Sequence, residues 1–135
     1  MIRFLLLAAL ALPALSQQVE GNPDWHKPFP AFRMIGNLYW VGTYDLSSYL
    51  ITTPEGNILI NTGYADSVPM ILAGVEKLGF KFSDIKILTA THAHGDHVAG
   101  LAEIKRLTGA RMVMEAEDVL IFNTATRPSL PASSP

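Results

Sequence analysis

The hydrophobic and polar positions of this chain change period near residue 66. Upstream, Asn37–Gly42 (NLYWVG) and Leu46–Thr53 (LSSYLITT) carry aromatic and β-branched residues on either side of a loop. That pattern predicts an antiparallel pair of strands. Pro54–Asn57 (PEGN) reads as a turn and Ile58–Asn61 (ILIN) as a third strand. From Asp66 to Gly79 the apolar residues Val68, Ile71, Leu72, Val75 and Leu78 recur at three and four, which predicts an amphipathic helix. Asp66 or Ser67 can cap it, Pro69 is tolerated in its first turn and Gly79 can end it. Ile85–Ala90 (IKILTA) reads as a buried strand. Leu101, Ile104 and Leu107 mark a second, short helix closed by Gly109, and Arg111–Met114 (RMVM) a last strand. The order β-β-β-α-β-loop-α-β belongs to the α/β class.

The two ends lack this patterning. Residues 17–33 are rich in Pro, Trp and Phe without a period and read as an extended arm that packs aromatic rings. After Glu117 the signal fades, and the Pro- and Ser-rich 119–135 segment reads as a disordered tail. The first residues, MIRFLLLAALALPALSQQ, place one basic residue, Arg3, before an apolar run from Phe4 to Leu12. Pro13 breaks the run, and small residues Ala14 and Ser16 precede Gln17. This layout predicts a signal peptide over 1–16 and export to the periplasm or beyond. The run is too short for a spanning helix of about 20 residues, so no membrane span is expected after cleavage.

Composition narrows the chemistry. Ten Lys and Arg against twelve Asp and Glu give a net charge of −2, so no nucleic-acid partner is expected. With no cysteine, a disulfide framework and a thiolate metal site are both excluded. Three of the four histidines fall in Thr91–Gly100 (THAHGDHVAG), directly after the buried strand. Side chains two apart in an extended chain point the same way, so His92 and His94 can reach one point. Asp96 and His97 follow a turn expected at Gly95 and can reach a second. Imidazole nitrogen and carboxylate oxygen suit zinc, although such donors also accept iron or manganese. His26, isolated in the arm beside Lys27, reads as an ordinary polar residue.

The spacing HxHxDH at the end of a strand resembles the signature of the metallo-β-lactamase superfamily. Met34–Gly63 and Val75–Ala116 are similar to the third subclass of class B β-lactamases. The resemblance implies the N-terminal half of an αββα sandwich, occupying 34–118, with a two-zinc site at one edge. It places His92 and His94 on the first zinc, Asp96 and His97 on the second. It implies zinc-dependent hydrolysis of a β-lactam, with Asp96 as the catalytic residue that orients the attacking water. Zinc would supply water whose pKa is lowered toward about 7.

Departures accompany the likeness. The family completes each zinc site with a histidine further downstream, whereas no histidine or cysteine follows His97. Each zinc then keeps two protein ligands, where catalytic sites hold three and a water. His26 matches no family ligand position. Many members carry Asp where this chain has Asn61, which keeps hydrogen-bonding capacity without charge. A lone half-domain exposes the sheet face meant for its partner, which predicts self-association. A chain cut short, inactive by itself, is the expectation. The alternatives are a hydrolase of thioesters or lactones on the same fold, and a non-catalytic remnant or metal-binding fragment.

Overall fold

The computed structural model describes residues 21–118. The signal peptide expected over 1–16 and the tail expected over 119–135 lie outside the described residues. Within them, no helix is long and apolar enough to cross a membrane.

Among the described residues, six strands form one sheet in sequential order: β1 (Phe32–Ile35), β2 (Leu38–Trp40), β3 (Tyr49–Ile51), β4 (Asn57–Ile60), β5 (Ile85–Thr89) and β6 (Arg111–Met112). The first four meander antiparallel, while β4, β5 and β6 run parallel. Parallel neighbours need crossovers, and helices supply them. Helix α1 (Val68–Lys77) links β4 to β5. Helices α2 (Gly95–Val98) and α3 (Leu101–Thr108) link β5 to β6.

Register explains where the core sits. Tyr39, Leu50, Leu59, Leu88 and Met112 pair across successive strands and share one face. Leu50, Leu59 and Leu88 are fully buried there, packed with Ile71 and Val75 of α1 and Leu101 and Ile104 of α3. Each such side chain contributes about 1.5–3 kcal/mol when buried. The opposite face carries Leu38, Ile51, Ile58 and Ile87 in one row and Trp40, Tyr49, Ile60 and Thr89 in the next. All eight are only half-buried among the described residues. The face is as apolar as the core side but has no helical layer in the described core.

Several local expectations change. The stretch read as an arm already enters the sheet at Phe32, because β1 and β2 close a hairpin through Gly36 at φ 54°. Its rings do pack: Phe29 meets Phe32, Trp40 and Tyr44 edge-on at 6.3, 6.4 and 5.8 Å. Strand β5 is buried on one side only, since Lys86 is exposed and Ile87 half-buried. Leu107 is exposed, leaving Leu101 and Ile104 as the buried face of α3. Neither expected cap of α1 bonds the helix: Ser67 makes no side-chain cap, and Asp66 is held by His26. Gly79 and Gly109, at φ 87° and 69°, do end the two longer helices.

Candidate metal centre

The parallel strands β4 and β5 deliver their carboxyl ends side by side, where α/β sheets place their ligands. Asn61 follows β4 rather than extending it. Its backbone stands at φ 60°, a left-handed conformation that asparagine tolerates better than branched residues. Its N–H donates to Thr89 O at 3.0 Å. Its buried side chain accepts from the Thr91 N–H at 2.9 Å and the Thr91 hydroxyl at 3.2 Å. Next, the Thr62 N–H and hydroxyl both donate to His97 O, at 2.8 and 3.2 Å. The Gly100 N–H donates to Gly63 O at 3.3 Å. Gly100 is required by close approach: a β-carbon there would lie 2.8 Å from Val68 Cγ2 and 3.0 Å from Thr62 O. Asn61–Gly63 thus grips the Thr91–Gly100 loop at its start, middle and end.

The sequence between His94 and Ala99 forms a short helix where a plain loop was expected. His97 N–H and Val98 N–H both donate to His94 O, at 2.9 and 3.1 Å. Gly95 opens this helix without a positive φ, and a β-carbon on it would meet nothing within 4 Å. The tight glycine turn expected there is absent, because helical backbone already redirects the chain. Gly95→Ala is therefore expected to leave the thermal midpoint unchanged or slightly higher, given alanine's advantage of about 1 kcal/mol in a helix. A drop of several degrees in a melting curve would contradict this.

The loop gathers the three histidines expected of it. The ring centroids of His92 and His94 lie 4.6 Å apart with planes at 82°, and those of His92 and His97 lie 4.1 Å apart at 50°. Asp96 Oδ2 stands 3.3 Å from His97 Nε2. Burial pushes the His97 pKa below its ordinary value of 6.5; Asp96 opposes that shift, and His92 and His94 add to it. The result favours neutral imidazole, the form that ligates metals. His26 takes no part in the loop. It pairs through Nδ1 with Asp66 Oδ2 at 2.6 Å and stacks on Tyr64 at 5.0 Å.

These donors fit zinc in kind, three imidazoles and a carboxylate. They do not complete a site in number: among the described residues, no group of three His, Asp or Glu could hold one metal ion. His92 lies nearer His97, at 4.1 Å between ring centroids, than His94, at 4.6 Å, so the rings do not separate into the two expected pairs. Thr62 and Thr91, which carry much of the loop's bracing, had no sequence signal beyond their place beside a strand end.

The sheet with helices on one face, and the histidine loop at the carboxyl ends of its parallel strands, define an α/β fold with a candidate metal-binding loop. Residues 41–130 match the family model of the metallo-beta-lactamase superfamily, and the chain belongs to that superfamily. Among solved structures it is similar to the native FEZ-1 metallo-beta-lactamase from Legionella gormanii. The identity is 59% and the TM-score 0.69, over 70% of this chain and 36% of that one. It is also similar to the class B3 di-zinc metallo-beta-lactamase LRA-12 from an Alaskan soil metagenome. There the identity is 55% and the TM-score 0.67, over 67% and 34% of the two chains. A curated relative, hydroxyacylglutathione hydrolase of Rhodopseudomonas palustris (strain BisB5), is 39% identical over 69 residues. That alignment takes in 51% of this chain and 26% of the relative. The chain thus spans about a quarter of its curated relative's length and about a third of the solved chains. Metal dependence is implied by the superfamily and by the di-zinc neighbour.

Proposed function

We propose that this chain supplies the loop-bearing half of an exported, zinc-dependent β-lactam hydrolase. His92 and His94 would hold one zinc, Asp96 and His97 the other, and the zinc would supply activated water and polarise the lactam carbonyl. Asp96, beside both the metal and the water, would orient the nucleophile. The observation that carries the reading is the identity of 55–59% to two subclass B3 enzymes over 67–70% of the chain. The hydroxyacylglutathione hydrolase reaches 39% over 51%. That relative supports a second reading, hydrolysis of a hydroxyacylglutathione.

The test is turnover by the zinc-loaded product of the natural gene, with whatever coding sequence follows Pro135, against a carbapenem, a lactone and a hydroxyacylglutathione. Chelator-sensitive carbapenem hydrolysis is expected, falling at least about 100-fold in Asp96→Asn, since a ligand loss should exceed the 10–100-fold of an outer partner. Preference for hydroxyacylglutathione would move the assignment to the second reading. Zinc binding without turnover of any of the three would leave a metal-binding remnant.

A further inference from the structure

The Thr91 hydroxyl touches three polar groups at once. Its oxygen lies 3.2 Å from Asn61 Oδ1, 3.2 Å from His92 Nδ1 and 3.4 Å from His97 Nδ1. It therefore joins the brace to one imidazole from each expected donor pair. A hydroxyl has a single proton to give and two lone pairs to accept with. The direction of that proton decides which nitrogen of each histidine stays bare.

Asn61 settles the direction. The Thr91 N–H points at the same side-chain atom of Asn61 from 2.9 Å, so that atom is the carbonyl oxygen and not the amide nitrogen. An oxygen that already faces Thr91 Oγ1 at 3.2 Å needs a proton between them, and only the hydroxyl can provide it. Were the hydroxyl to donate to His92 instead, two oxygens would meet lone pair to lone pair, and His97 Nδ1 would still lack a partner unless it carried a proton. Donation to Asn61 lets both imidazoles donate to Thr91, so all three contacts become hydrogen bonds.

We propose, resting on the zinc reading of the loop, that Thr91 is a positioning residue. Its hydroxyl holds His92 as the Nδ1–H tautomer, leaving Nε2 free to ligate a metal. A free neutral histidine prefers the opposite tautomer, so the hydroxyl works against the intrinsic bias. On His97 two groups compete: Thr91 favours a proton on Nδ1, while Asp96 Oδ2, 3.3 Å from Nε2, favours one there. Were Asp96 to hold a metal, the Thr91 contact alone would act on His97 and would favour a bare Nε2 there too. Ligating histidines commonly owe their tautomer to such a partner on the other nitrogen.

The test uses the full chain with ¹⁵N-labelled histidine, metal-free at pH 8, read by long-range ¹H–¹⁵N correlation. His92 is expected to show a protonated Nδ1 and a bare Nε2. Thr91→Val keeps the shape and the backbone bond to Asn61 but removes the hydroxyl; His92 should revert toward Nε2–H, and zinc affinity by chelator competition should fall about 10–100-fold. Thr91→Ser should restore both. Matching melting curves for the three proteins separate this from simple unfolding. An Nε2–H His92 in the unaltered chain, or a Val variant with an unaltered spectrum, would overturn the proposal. An Nδ1–H His92 in a chain that binds no zinc would retain the tautomer device and remove the zinc reading instead.

Discussion

Asn61→Leu is expected to lower the unfolding free energy of the chain by about 3 kcal/mol. Two losses add. The Thr91 N–H and hydroxyl lose their acceptor, two part-buried hydrogen bonds worth about 0.5–1.5 kcal/mol each. Leucine must also adopt φ 60°, a left-handed conformation costing about 1–2 kcal/mol. Asn61→Asp is the control: it keeps an acceptor and tolerates the backbone, so its effect should stay within about 1 kcal/mol. Urea unfolding measures both. Hydrogen exchange of the Thr91 amide localises the change, since that proton should exchange much faster in the leucine variant only. Equal stability of the leucine and aspartate variants would show that Asn61 does not brace the loop.

The second large effect separates the two faces of β5. Leu88→Ala removes a fully buried side chain from the row shared with Leu59 and Met112. It is expected to cost about 2–5 kcal/mol, the usual range for leucine truncation in a core. Ile87, the preceding residue, points to the open face and is half-buried. Ile87→Ala in this chain should cost about 1 kcal/mol, because much of its surface already meets water. A comparable loss at both positions would mean that something covers the second face. Sedimentation across a concentration series then distinguishes a second copy of the chain from a cover within it.

Both faces of the sheet bear on how far the chain could be read in advance. Period alone located the meander, α1 and the strand before the loop, because alternation and three-four spacing are local properties. The same period could not tell that Ile87 and Leu88 meet different environments, since each is an apolar residue in an apolar run. Nor could it place Leu107, which continues the helical spacing of α3 yet stays exposed. Whether a helix face is covered depends on what packs over it, and that contact comes from elsewhere in the chain.

The loop shows the same division. That His92, His94, Asp96 and His97 lie together was legible because the motif places them within six positions of the chain. Their support was not. Asn61 lies 30 residues from Thr91, and Thr62 lies 35 from His97. No local pattern links such partners; the parallel pairing of β4 and β5 does. Gly95 was expected to make the turn, yet the turn is helical and its hydrogen bonds come back to His94 O. By itself the sequence determined the chemistry on offer in this protein, since side-chain identity sets which atoms can bind a metal. Only the tertiary structure decided how those atoms are held, because hydrogen bonds between the ends of adjacent strands form only once the sheet has brought them together.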